Sequence, residues 1–178
     1  MNILVTNDDG IQSPGLIALA GALCQTANVM VVAPAQQQSG VGSCVSLHNG
    51  MEINEAEIPV AGVRAYAIGG TPSDCVMLGL RQLAPGHIDV LVSGINLGPN
   101  VGRDIPYSGT VMATLQGYYR KIPSIAVSIL NLSREESYDF TVAGHFIRSL
   151  VEQIQSGKMK LDAILNVNLP NLPREKIK

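Results

Sequence analysis

The sequence predicts an α/β fold: a Rossmann-like, mostly parallel sheet with helices on both faces, in three α/β/α layers. Short apolar runs alternate with stretches whose apolar residues recur at helical spacing, the pattern of βαβ units. Hydrophobic residues make up 46% of the 178, enough for a sizeable core, and charged residues only 15%. Eighteen glycines, many in short clusters, fit ligand-binding turns in such a fold. No internal repeat or charged linker divides the chain, so the expectation is one domain over residues 1–178.

Ile3-Leu4-Val5 is the first strand. Ser13 is placed to cap a helix with Pro14 at its first position, and Leu16, Leu19, Ala20 and Leu23 carry that helix over 14–26. Val29–Val32 is the second strand, followed by a Gln-, Ser- and Gly-rich loop over 34–50, long enough to be functional or mobile. Met51–Ile58 and Arg64–Ile68 are further strands. Thr71-Pro72-Ser73-Asp74 has capping-box character and opens a helix to about Leu83, with Val76, Met77, Leu80 and Leu83 inward. Ile88–Val92 is a strand, and residues 93–108 form a second long loop. A helix over Gly109–Tyr119, a strand at Ile125–Ile129, a long helix marked by Phe140, Ala143, Ile147, Leu150 and Ile154, and a strand at Ala163–Val167 complete the series.

Composition excludes several functions. A net charge of −2 is not the basic footprint of a nucleic-acid binder, and 4% aromatics with no Trp make a poor base-stacking platform for single strands. The three cysteines, Cys24, Cys44 and Cys75, form no CxxC pair or even framework and read as buried free thiols in a reducing compartment. The opening MNILVTNDDG lacks a basic segment leading into an apolar one, and no apolar run approaches a membrane span; the expectation is a soluble cytoplasmic protein. There is no G-x-G-x-x-G after the first strand, no G-x-x-x-x-G-K-[ST] and no G-x-S-x-G.

In open α/β sheets ligands bind beyond the carboxyl ends of the strands. Asn7-Asp8-Asp9-Gly10, the Ser39-Gly40 loop and Ser93-Gly94-Ile95-Asn96 all fall at such ends. Asp8 and Asp9 are the informative pair. Two close carboxylates repel unless one is protonated or a cation bridges them, and oxygen ligands suit Mg2+ or Mn2+ rather than Zn2+. Taken alone, NDDG reads more readily as turn and capping chemistry. Tyr107-Ser108-Gly109-Thr110 stands where a helix begins, a ready anion site, although Ser108 alone is equally an N-cap. The combination describes a phosphate held between a cation and a helix N-terminus, as metal-assisted phosphoester hydrolysis requires.

With those residues in view, NDDGIQSPG, Ser39-Gly40, GTPSDCV (70–76), SGINLGPNVG (93–102) and YSGTV (107–111) resemble the SurE (survival protein E) family, in the family's order and along essentially the whole chain. The resemblance implies a metal-dependent nucleotidase that hydrolyses nucleoside 5'- and 3'-monophosphates, and in some members short polyphosphate. It implies that Asp8, Asp9, Ser39 and Asn96 hold one divalent metal, Mg2+ or Mn2+, that Asp8 and Asp9 are catalytic, and that Asn96, Ser108, Gly109 and Thr110 bind the phosphate. A homodimer or homotetramer acting on a nucleoside monophosphate, without nucleic acid duplex or membrane, is the implied assembly. Met112 after Val111, and VGSCVSL after Gly40, depart from the family pattern and bear on pocket shape. Family members are generally longer, so the expectation is a domain without the family's C-terminal portion and its subunit-exchange arm. The alternatives are a non-catalytic nucleotide-binding module and a dehalogenase-type phosphatase, whose D-x-D spacing the adjacent Asp8 and Asp9 do not match.

Overall fold

The structure, a computed structural model, describes residues 1–48, 50–131 and 137–177. Residue 49 of the expected 34–50 loop and residue 178 of the expected domain lie outside the described residues. The strands are β1 (Asn2–Thr6), β2 (Asn28–Pro34), β3 (Ile53–Ala56), β4 (Arg64–Ile68), β5 (Val90–Leu97), β6 (Ser124–Leu130) and β7 (Ile164–Pro170). They form one seven-stranded sheet in the order β3-β4-β2-β1-β5-β6-β7, parallel throughout except for β3, which runs antiparallel to β4. The helices are α1 (Pro14–Leu23), α2 (Pro72–Leu78), α3 (Gly109–Tyr118) and α4 (Thr141–Gln155).

Strand alternation sorts the core into two layers. Ile3, Val5, Val92, Ile125 and Val127 pack with Leu16, Leu19 and Leu23 of α1 and Ile147 and Val151 of α4. Leu4, Met30, Val32 and Leu91 pack with Cys75 and Val76 of α2 and Ala113 of α3. The expected three-layer α/β/α arrangement is therefore present. Burying each such Leu or Ile stabilises the fold by about 1.5–3 kcal/mol.

The local signals held where they were strongest. Ser13 caps α1, its Oγ accepting from Leu16 N, and Thr71 and Asp74 form a reciprocal capping box on α2. The differences have physical reasons. The α2 helix gives way to a π-helical turn over Gly79–Leu83, which stops there because Ala84 precedes Pro85 and is held extended. β3 is shorter than expected: it lies on the sheet edge with Ile53, Asn54 and Glu55 in solvent, so no core extends it. β5 runs on to Leu97, taking Ser93–Asn96 into the sheet rather than a loop, and the rest of the expected loop includes a 3-10 turn over Gly102–Tyr107. All three thiols are free, but only Cys75 is buried; Cys24 is half-buried and Cys44 exposed.

From β1 the chain builds outward to β2, β4 and β3, then returns to lay β5 on the other side of β1. The crevice beyond the carboxyl ends of β1 and β5 is the topological switch point, where such sheets bind ligands.

Candidate active site

β1 ends at Thr6 and the next four residues form the acidic turn. Asn7 staples it: Nδ2 donates to Gly10 O (3.0 Å) and to Ser13 Oγ (2.7 Å), and Gly10 N donates back to Asn7 Oδ1 (3.3 Å). Gly10 sits at φ 101°, a region other residues rarely adopt. Asp8 points to the opposite face, toward α3, and is 5% exposed. Its Oδ1 accepts from the Thr110 hydroxyl, and the backbone N–H groups of Gly109 and Thr110 lie close enough to favour its charged form. A Cβ on Gly109 would lie 2.8 Å from Asp8 Cβ, so only glycine lets the helix start approach this closely.

Asn96 reaches the same face through a β-bulge. Ser93 pairs with Ala126 and Asn96 with Ser128, so three steps on β5 match two on β6. Regular alternation would send Asn96 toward α1 and α4; the extra residue returns it to the side of Ser93 and Asp8. Gly94 permits this, at φ 138° and with no room for a Cβ, which would lie 2.3 Å from Val127 O. Asn96 Nδ2 donates to Gly98 O (2.8 Å) and Leu97 O (3.4 Å), which leaves Oδ1 as the available atom.

Ser39 arrives on the loop after β2. Gln38 N donates to Asp8 O (2.7 Å) and Gly42 N to Tyr107 O (2.9 Å), fastening the loop on either side of Ser39. Further along, Thr71 Oγ1 donates to Cys44 O (2.7 Å), and Ser46 Oγ to the fully buried Asp74 (2.8 Å). The loop expected to be functional or mobile is thus tied to the acidic turn, α2 and the 3-10 turn. Ser39 Oγ accepts from Gln37 Nε2 (2.9 Å) and is otherwise exposed.

Asp8, Asp9, Ser39, Asn96 and Ser108 line one cleft of about 310 Å³. Ser108 caps α3, accepting from Val111 N at 3.1 Å. Burial raises the Asp8 carboxyl despite the donors from Thr110 and Gly109. Burial and the neighbouring Asp8 charge push Asp9 up to about 6, against a backbone hydrogen bond at Leu97. Asp9 Oδ2 is buried and has no hydrogen-bond partner among the described residues. Two raised carboxylates, one with an orphaned oxygen, beside a hydroxyl and an amide oxygen form an all-oxygen donor set that fits a hard divalent cation. No group of three His, Cys, Asp or Glu side chains among the described residues offers another metal site. A larger hollow of about 770 Å³, lined by Asp139, His145, Arg148 and Arg174, contains none of these converging oxygens.

Of the residues expected to bind phosphate, Thr110 is fully buried and its hydroxyl donates to Asp8 Oδ1, and Gly109 lies against Asp8 at the start of α3. Asn96, expected to serve both metal and phosphate, donates from Nδ2 to Leu97 O and Gly98 O and presents Oδ1. Sequence reasoning also missed Gln37, Leu97, Asn100, Asp104 and Tyr107, which line the same cleft. Asn100 is held by β7: its N donates to Asn168 Oδ1 (2.8 Å) and its O accepts from Asn166 Nδ2 (2.9 Å). The signal was the Asn-x-Asn alternation, with Asn166 on the expected Ala163–Val167 strand and Asn168 just past its end.

The model of the family described as Survival protein SurE matches residues 3–178. A protein named 5'-nucleotidase SurE from Dehalococcoides mccartyi is 45% identical over 177 residues, covering 99% of this chain and 66% of the relative. One of the same name from Geotalea daltonii is 42% identical over 178 residues, covering 100% of this chain and 69% of the relative. The crystal structure of SurE protein from Aquifex aeolicus superposes with a TM-score of 0.87 at 38% identity, covering 100% of this chain and 69% of that one. The chain thus spans about two thirds of the length of its relatives. On the family match along nearly its entire length and the shared fold, this chain belongs to the SurE family.

Proposed function

We propose that this protein is a metal-dependent phosphomonoesterase that releases phosphate from nucleoside 5'-monophosphates, with 3'-monophosphates as a further substrate class. The observation that carries this reading is the convergence of Asp8 and Asp9 with Ser39, Asn96 and the Ser108 end of α3 in one cleft at the switch point. The shared name of the relatives, 5'-nucleotidase SurE, supports it.

Asp8, Asp9, Ser39 and Asn96 would hold one divalent cation, Mg2+ or Mn2+. Once bound, the cation supplies Lewis-acid polarisation of a phosphoryl oxygen and makes a nearby water more acidic. Asp8 is held by the Thr110 hydroxyl, so it would meet the cation without reorganising. Asp9 presents Oδ2, the oxygen without a protein donor. Ser108 Oγ accepts from Val111 N and keeps its own hydrogen to donate to a phosphoryl oxygen. Asn100, anchored by β7, closes the cleft wall.

The reading extends to a single domain over residues 1–178, acting on free nucleotides in the cytoplasm, and to self-association as a homodimer or homotetramer, as the family resemblance implies. Among the described residues no helix is long and apolar enough to cross a membrane.

The test is release of inorganic phosphate from AMP and GMP with Mn2+ or Mg2+. Activity is expected to vanish with a chelator and to fall by on the order of a hundredfold or more in Asp9→Asn. Equal rates in the variant, or indifference to the chelator, overturn the reading.

A further inference from the structure

Tyr107 is 68% exposed, and its four fellow tyrosines have evident packing partners. Tyr66 and Tyr138 pack against the two halves of the core, and Tyr138 stacks on Phe140 at 6.1 Å between ring centroids. Tyr118 and Tyr119 meet each other at 6.3 Å. Among the described residues Tyr107 makes no ring contact and joins no core cluster, yet it lines the cleft that holds Asp8, Asp9 and Ser108. A large apolar ring left in water is a cost that packing does not explain.

Its backbone is held firmly. Gly42 N donates to Tyr107 O at 2.9 Å, and Ser108 N donates to Asp104 O (3.1 Å) and Ile105 O (3.2 Å). Pro106 precedes it with φ restricted by its ring. The Gly42 contact is built tightly: at φ 54°, a Cβ there would lie 2.7 Å from Pro106 O. The ring is therefore presented from a fixed main chain, one residue from the Ser108 cap. Leu97, 41% exposed, offers apolar surface in the same cleft, directly after Asn96.

We infer that Tyr107, with Leu97, forms a subsite for the nucleobase, the planar ring of the substrate stacking on the phenol while its phosphate sits toward Ser108. The inference rests on the nucleotide reading of the cleft and adds a discrimination to it: affinity for the base, not the ester alone. Stacking is tolerant of base identity because every base presents a π-face, so AMP and GMP are bound alike.

The experiment measures dissociation constants of AMP and of ribose 5-phosphate, which carries the ester without a base, for wild type, Tyr107→Ala and Tyr107→Phe, together with phosphate release from each. The expected result is that Tyr107→Ala lowers the preference for AMP over ribose 5-phosphate by about tenfold while Tyr107→Phe retains it. An unchanged preference in Tyr107→Ala, or equal loss for both ligands, overturns the inference. Binding of AMP without phosphate release from either ester overturns the hydrolase reading alone, and the preference ratio still judges the role of Tyr107.

Discussion

The Thr110 hydroxyl donates to Asp8 Oδ1, joining residues 102 apart in sequence at the meeting of β1 and the first turn of α3. A threonine expected to bind phosphate here holds the carboxylate that would hold the metal. The first turn of α3 therefore presses its positive end against the Asp8 carboxylate. Removing this donor tests that order of action. Thr110→Val should raise the Asp8 carboxyl further and weaken Mn2+ binding by about 10–100-fold, as losses beyond the ligands themselves do. Thr110→Ser should retain most of the affinity. Metal titration of the two variants checks it.

Gly109 sets the distance between α3 and Asp8. In Gly109→Ala the new methyl would lie 2.8 Å from Asp8 Cβ and 3.2 Å from Pro72 Cγ, so either the acid or the helix must move. The expected outcome is a destabilisation of about 1–3 kcal/mol in urea unfolding, with phosphate release falling far more than that loss of folded protein explains.

Asp9 makes the metal-free protein sensitive to pH. Its carboxyl is raised from 3.8 to about 6 in the fold, so the native state binds the proton more tightly than the unfolded chain does. Stability of the metal-free protein should therefore fall as pH rises from about 4 to about 6 and stay lower above that. Asp9→Asn removes the burial of charge and should stabilise the metal-free protein by about 1–2 kcal/mol near neutral pH. Below about pH 4 the two proteins should converge. Thermal melts across this range in chelator check the sign.

The Ser46–Asp74–Thr71 clasp holds the Ser39 loop against α2. Asp74→Ala removes the acceptor of Ser46 Oγ, Ser46 N and Thr71 N and opens the capping box. Losing a cap and leaving buried donors unpaired should cost about 2–4 kcal/mol in urea unfolding. Loss of Ser39 as a ligand should also show as a higher Mn2+ requirement for turnover.

The parts of this protein legible in its sequence are those governed by near neighbours. Ser13-Pro14 and Thr71-Pro72 with Asp74 announce their helices because a cap needs only residues three positions apart. The apolar runs announce the strands, and the rim at their ends follows from α/β topology. What stayed hidden depends on partners far along the chain. The bulge that turns Asn96 toward Asp8 is decided by pairing with β6; its one local trace is Gly94. The direction of the Thr110 hydroxyl depends on how closely α3 abuts β1, which Gly109 alone could have signalled. Asn100 is fixed by Asn166 and Asn168, and the loop taken to be mobile is pinned by Asp8, Tyr107 and Asp74.

Calorimetric titration of Mn2+ into metal-stripped wild type and into the Asp8→Asn/Asp9→Asn double variant tests the oxygen cage most directly. A single saturable site in the wild type that disappears in the double variant is the predicted result. Undiminished binding in the double variant, or no site in the wild type, would contradict it.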